Sequence, residues 1–350
     1  MKYARVHVDA IAYELPAEVV TSEDLERRLQ PLYEALHLQS GLLEEWTGIR
    51  ERRWWERGRP LWQGAALAAR RCLEQAAVAG SQIETLIYAG VCRDQFEPAT
   101  ACAVADALRV HPHAHVYDLS NACLGVLNGM LDVANRIELK QIRAGMVVSC
   151  ETARDITETI LGELLRERSM DVLTRSLATL TGGSGAVAVL LSDGSLGPTR
   201  HRLLGGVAHT APEHHRLCRW GLAEDPSAAE SRTLVQSMAT DSAAVLKHGL
   251  ALGVSTWQAF LAEMAWSEED VDKVICHQVG AAHRERMLDL LHLPSAKDFS
   301  TFPTLGNMGT VSLPLSAALA EERGFLQSGD LVGFLGIGSG LNSVMLGLQW

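Results

Sequence analysis

Val116-Tyr117-Asp118-Leu119-Ser120-Asn121-Ala122-Cys123-Leu124-Gly125-Val126-Leu127-Asn128-Gly129-Met130 reads as a strand, a sharp turn and the beginning of an apolar helix. The turn leaves Cys123 in the first turn of that helix. Unpaired N–H groups and the positive end of the helix dipole favour a thiolate there, so its pKa is expected below the ordinary cysteine value. The competing reading is a small packing residue, as Cys72, Cys102 and Cys150 are expected to be. Spacing alone does not separate the two.

Outward from this segment, short apolar runs alternate with helical patterns. Strands are expected at Val6–Tyr13, Thr85–Val91, His115–Leu119, Gly145–Ser149, Ala186–Ser192, Leu203–His209, Lys273–His277, Leu331–Leu335 and Ser343–Gln349. Helices are expected at Thr21–Leu36, Ala65–Ala79, Cys123–Arg136, Ser231–Leu250 and Ala281–Leu291. Such alternation indicates an α/β fold of buried, largely parallel strands. A faint internal echo adds to this. Ser81–Gly90 and Ser267–His277 each run from an acidic approach into a buried strand, and the strand ending at Glu151 has a counterpart in the strand ending at Gly336. Two related halves are expected, residues 1–195 and 196–350, joined near Asp193–Pro198.

Composition narrows the classes of function. The 350 residues are 47% hydrophobic and 21% charged, enough apolar material for a large core. A formal net charge of −11 argues against a nucleic-acid-binding surface. Seven cysteines without a CxxC pair argue against a disulfide framework or a zinc ribbon and suit a reducing cytoplasm. The alternation Val6, Val8, Ala10 reads as a strand rather than a signal-peptide core. Leu331–Trp350 carries no charge, yet its five glycines and Ser339, Asn342 and Ser343 suit two buried strands around a turn better than a lipid-spanning helix.

Other residues able to do chemistry are individually weak signals. His277 ends a buried strand, where it can overlook a site at the carboxyl edge of a sheet or simply be a satisfied core histidine. Asn307 sits between Gly306 and Gly309 in a loop that turn chemistry alone would explain. Gly336-Ile-Gly-Ser-Gly340 is followed by too few residues for a nucleotide-binding βαβ unit. The His111/His113/His115 cluster and His214-His215 lack acidic or thiol partners at ligand spacing, so no metal is expected. Gly182-Gly-Ser-Gly-Ala186 lacks the spacing of a hydrolase elbow and is expected to let the sheet edge pass close to neighbouring backbone.

Taken together, Asn121-Ala-Cys123-Leu-Gly, Cys276-His277-Gln278, Gly306-Asn307-Met-Gly309 and Gly336-Ile-Gly-Ser-Gly-Leu-Asn342 resemble the thiolase-superfamily condensing enzymes of the β-ketoacyl synthase III type. The resemblance spans essentially the whole chain, including Trp46-Thr-Gly-Ile-Arg50-Glu-Arg-Arg53. It implies a duplicated five-layered αβαβα sandwich, usually a homodimer, with a Cys123, His277 and Asn307 site. Arg93-Asp-Gln-Phe-Glu97-Pro98 and Val148-Ser-Cys-Glu-Thr152 narrow the likeness to the OleA group, which joins two fatty acyl thioesters head to head, and to the related pyrone-forming ketosynthases.

What the resemblance implies for single residues is specific. Cys123 is the acylated nucleophile, and its own N–H with that of Ser339 forms the oxyanion hole. His277 and Asn307 hold an enolate oxygen. Glu97, twenty-six positions before Cys123, falls where that group carries a glutamate that reaches the neighbouring subunit's site; read without the family it is a solvated loop carboxylate. A plain acyl donor needs a base to remove its α-proton, which Glu97 supplies, whereas a malonyl donor needs none. Trp46 and Arg50, with Arg52 and Arg53, sit where relatives meet the coenzyme A nucleotide; a solvated helix face would explain the same cluster. No cofactor is expected beyond acyl-CoA or acyl carrier protein as thioester substrate. The alternatives are a pyrone-forming ketosynthase, a decarboxylative synthase III, and a non-catalytic partner subunit.

Overall fold

The computed structural model describes residues 1–197, 201–224 and 234–350. Its strands are β1 (His7–Glu14), β2 (Glu18–Thr21), β3 (Glu51–Trp54), β4 (Thr85–Ala89), β5 (His115–Leu119), β6 (Ala144–Glu151), β7 (Gly185–Ser192), β8 (His201–Thr210), β9 (Cys218–Glu224), β10 (Leu234–Thr240), β11 (Lys273–Cys276), β12 (Leu331–Gly338) and β13 (Asn342–Gln349). Nine of them form one continuous sheet, ordered β11-β12-β13-β8-β1-β7-β6-β4-β5. The β1–β8 junction is short, with His7 opposite Arg202 and Val8 opposite His201. It joins two sheets of related topology.

The echo in the sequence marks this relation. β4 lies parallel to β6, and β11 lies parallel to β12. Each of those second strands turns back antiparallel into β7 or β13. β5 flanks β4, and a single parallel bridge from Val274 to Asp298 occupies the equivalent place beside β11. Helix Gly125–Glu138 precedes β6 just as helix Ser312–Glu322 precedes β12.

Those two helices are the middle layer. Leu127, Met130 and Val133 of one and Leu315 and Leu319 of the other share a core with Ile87, Val147 and Val189 of the first sheet and Val332, Phe334 and Leu346 of the second. The opposite face of the first sheet, through Leu86, Met146, Val148 and Leu190, is covered by helices Leu61–Ala76 and Thr100–Leu108. Helices Ser242–Met264 and Ala281–Leu290 cover the second through Val274, Cys276, Leu335 and Met345. This is the duplicated five-layered αβαβα sandwich. Because both faces of each sheet are covered, its strands are continuous apolar runs: all eight residues of β6 and of β7 are buried.

Three expectations need correction. The sheet is mixed rather than largely parallel, because β7 and β13 return antiparallel and β1 and β8 pair antiparallel with them and with each other. Thr21–Leu36 is a strand end and two short helices, Ser22–Arg28 and Gln30–Ala35, parted just before Pro31. Of the helix expected at Ser231–Leu250, Leu234–Thr240 is instead β10, paired antiparallel with β9, and the helix begins at Ser242, capped by Asp241. Residues 231–233, and Pro198 of the expected junction, lie outside the described residues. The uncharged carboxyl end forms β12 and β13 around a turn at Ser339–Leu341. No helix among the described residues is long and apolar enough to cross a membrane.

Candidate active site

After β5 the chain reverses sharply. Ala122 adopts φ +46°, a left-handed conformation that costs a non-glycine residue about 1–2 kcal/mol. Leu124 and Gly125 donate back to the carbonyls of Asn121 and Ala122 at 2.9 and 3.3 Å, and the helix starts at Gly125. Val126 N–H donates to Thr310 Oγ1 at 2.7 Å, which ties the first helical turn to the loop holding Asn307. Cys123 thus stands at the tip of the turn and is half-buried.

Its thiol does not behave as the helix position alone implies. Burial pushes it up to about 12, and the neighbouring Cys218 and Glu151 add to the rise. Loss of water and nearby negative charge outweigh the helix end, so Cys123 rests as a thiol. Among the cysteines read as packing residues, Cys72 and Cys150 are buried, but Cys102 is exposed on its helix.

His277 follows β11 directly. Its N–H donates to Leu335 O at 2.9 Å, and its side chain is buried with Nδ1 unpartnered. Burial, reinforced by His283, pushes the imidazole down to about 3, so it is neutral at ordinary pH. The next residue fixes the loop around it. Gln278 donates to Phe299 O at 2.7 Å and accepts from the N–H groups of Thr301 and Phe302 at 2.6 and 2.8 Å.

Asn307 is held from both sides. Its N–H donates to Thr181 O and its carbonyl accepts from Gly183 N–H, both at 2.9 Å. A Cβ on Gly183 would lie 2.0 Å from Leu305 O, so only glycine permits this approach, the use foreseen for the Gly182–Gly185 stretch. Asn307 Oδ1 accepts from Gly309 N–H at 3.0 Å, which leaves the Nδ2 group as the donor.

These segments meet. A Cβ on Gly338 would sit 3.4 Å from Cys123 N, so the turn carrying Ser339 starts against the Cys123 amide. Leu335, which receives the His277 N–H, lies on the same strand as Gly338. Thr310 links the Asn307 loop to the helix behind Cys123. A small apolar cavity beside His277 is lined by Met287, Leu291, Leu335, Ile337 and Met345.

Glu97 lies elsewhere on this single chain. It is exposed, makes no hydrogen bond or ion pair among the described residues, and neighbours Phe96, which is 88% exposed. The same loop, through Arg93, Asp94 and Phe96, borders a cleft of about 680 Å³ shared with Trp62, Arg154 and Trp220.

Trp46 and Arg50 are exposed, and their segment seats directly on the residues after His277: a Cβ on Gly48 would fall 2.8 Å from that of Ala281. Arg52 is different. It is 1% exposed on β3, donates to Ser22 Oγ and Leu180 O at 3.1 Å each, and burial lowers it to about 10. Nor is Arg53 on a helix face; it lies on β3 and donates to Pro16 O at 3.4 Å. Of the basic cluster, Arg50 is the one left exposed near the site.

Glu151 received no role from the sequence. It ends β6, is 4% exposed, and accepts from the N–H groups of Val91 and Cys92 at 2.8 and 3.0 Å. The available signal was a charged residue closing an apolar strand.

Residues 261–350 match the family model for the 3-oxoacyl-[acyl-carrier-protein (ACP)] synthase III C terminal. A crystal structure of cerulenin-bound OleA from Xanthomonas campestris superposes with a TM-score of 0.92 at 32% identity, over 100% of this chain and 98% of that one. The acyl-CoA:acyl-CoA alkyltransferase of Shewanella oneidensis is 52% identical over 100% of both chains, and that of Xanthomonas campestris pv. campestris 32% identical over 100% of both. The chain belongs to the OleA family. OleA-family membership makes it an acyltransferase of the thiolase superfamily. The β-ketoacyl-[acyl-carrier-protein] synthase III 1 of Bacillus cereus stands further off, at 26% identity over 96% of each chain.

Proposed function

We propose that this enzyme joins two fatty acyl-CoA molecules by a non-decarboxylative Claisen condensation, giving a 2-alkyl-3-oxoacyl product. The observation that carries the reading is the whole-length 52% identity to an acyl-CoA:acyl-CoA alkyltransferase. The decarboxylative and pyrone-forming alternatives are not favoured.

In this reading Cys123 Sγ attacks the thioester carbonyl as neutral His277 takes the thiol proton. Coenzyme A leaves and carries that proton away. The N–H groups of Cys123 and Ser339 receive the oxyanion, which the close approach of Gly338 to Cys123 N supports. A second acyl-CoA then loses an α-proton to Glu97 while its enolate oxygen is held by His277 and Asn307 Nδ2. The new carbanion attacks the acyl group on Cys123; the carbon–carbon bond forms and the carbon–sulfur bond to Cys123 breaks.

Glu97 is assigned to the site of the other protomer in a homodimer. Its exposure beside Phe96 supports this. Crystal structures of Xanthomonas campestris OleA variants substituted at a glutamate and at a cysteine with the separation of Glu97 from Cys123 support giving these two residues a share in the chemistry. Another OleA structure contains bound lauric acid and lauroyl-CoA, which supports CoA over carrier protein, and the exposure of Trp46 and Arg50 beside the residues after His277 suits them to meet its nucleotide. A cytoplasmic location fits such substrates.

Mass spectrometry of products from purified protein given one saturated acyl-CoA and no malonyl donor tests the reading. A 2-alkyl-3-oxo acid, or the ketone it decays to, is expected. Condensation only with malonyl thioester and release of carbon dioxide would overturn it.

A further inference from the structure

The mechanism above leaves one buried carboxylate beside the nucleophile unused. Glu151 Oε1 and Oε2 each accept one backbone N–H, from Val91 and Cys92, the first residues of the loop that runs to Glu97. Tyr88 braces the same place, its hydroxyl lying 2.8 Å from Cys92 O and 2.7 Å from Cys150 O. On the other side of the carboxylate lies the Asn307 loop: a Cβ on Gly309 would stand 3.6 Å from Glu151 Cδ. That glycine is also the one whose N–H orients Asn307. One side chain thus touches the root of the Glu97 loop and the residue that aims Asn307. No lysine or arginine pairs with it among the described residues, although Arg93 stands close enough to favour its charge.

We propose that Glu151 is a positioning residue for the condensation step, clamping the root of the Glu97 loop against the Asn307 loop of its own site. The inference rests on the reading of Glu97 as the base in the other protomer's site. Under it, each carboxylate ties a chain's own thiol site to the loop that completes its partner's. Two backbone N–H groups ending on a buried carboxylate make a stiff joint, because each bond is charge-assisted and leaving either donor unpaired is costly. When ionised Glu151 also raises the Cys123 thiol, as does Cys218 from β9. Removing that charge therefore makes the thiol easier to ionise.

Glu151→Gln tests this with the full-length dimeric protein, because it keeps the shape and one acceptor. Acylation of Cys123, read as coenzyme A release in a single turnover, is expected within a few-fold of wild type, and condensation is expected to fall by about 10²-fold, the cost typical of a small misplacement. The rate of Cys123 alkylation by iodoacetamide is expected to rise at each pH from neutral upward, a readout that a purely structural role would not move. Glu151→Asp, which keeps the charge, is expected to retain the wild-type alkylation profile with a smaller loss of condensation. Equal loss of both half-reactions in Glu151→Gln, or an unchanged alkylation profile, would overturn the proposal. Unimpaired condensation by Glu97→Gln would instead refute the base assignment, a separate result.

Discussion

Gly338 packs so tightly on the Cys123 turn that a Cβ there would lie 3.4 Å from Cys123 N and 3.2 Å from Leu124 Cγ. Backbone meets backbone at the point proposed to hold the oxyanion. Gly338→Ala is expected to push the β12 turn away from that amide. Acyl-enzyme formation should fall by about 10²-fold, the scale of one lost oxyanion donor, with little change in melting temperature. Stopped-flow measurement of coenzyme A release checks this, and a wild-type rate would exclude the turn from the oxyanion hole.

His277 gives the acid limb of stability a defined sign. Its folded pKa of about 3 lies below the ordinary value of 6.5, so the unfolded chain binds its proton first as pH falls. The stabilisation is fully present above 6.5 and is lost on going down towards 3, at up to about 1.4 kcal/mol per pH unit. Buried Glu151 and Asp298, whose carboxyls burial raises, work in the opposite sense. The difference between wild type and His277→Asn isolates the histidine: denaturation midpoints should converge as pH falls through that window.

Arg50 and Arg52 are two positions apart and face different tasks. Arg52→Ala removes a buried guanidinium and leaves Leu180 O without its donor, so a loss of about 2–4 kcal/mol in unfolding free energy is expected. Arg50→Ala should leave stability unchanged and raise KM for acyl-CoA by about tenfold, the value of one charge-assisted hydrogen bond. Chemical denaturation and steady-state kinetics on both variants separate the roles.

Glu97 and Phe96 should separate chemistry from assembly. Glu97→Gln is expected to abolish condensation and spare acylation of Cys123. Phe96→Ser, at a side chain 88% exposed on the single chain, should weaken the dimer in sedimentation experiments without lowering monomer stability. Mixing Glu97→Gln with Cys123→Ala protein should restore activity, because in the mixed dimer the one intact thiol faces the one intact carboxylate.

Much of this protein was written locally. Short apolar runs marked all nine strands of the large sheet, whereas the separate pairs β2–β3 and β9–β10 escaped because the first is only four residues long on each side and the second is largely exposed. The left-handed kink before Cys123, the glycines that admit Asn307 and the strand end at His277 are short-range consequences of residue type and spacing, so these three positions could be singled out from the chain, although only their joint likeness to a family suggested roles for them. What the linear order could not contain was the surroundings of each charge. Whether a thiol at a helix tip is ionised depends on how much water the second sheet removes and on a carboxylate arriving from β6. The fate of Arg52, and Glu151's place between two loops, likewise depend on groups brought together from distant parts of the chain. Solvation and electrostatics are set by neighbours in space, and only the folded layers supply those.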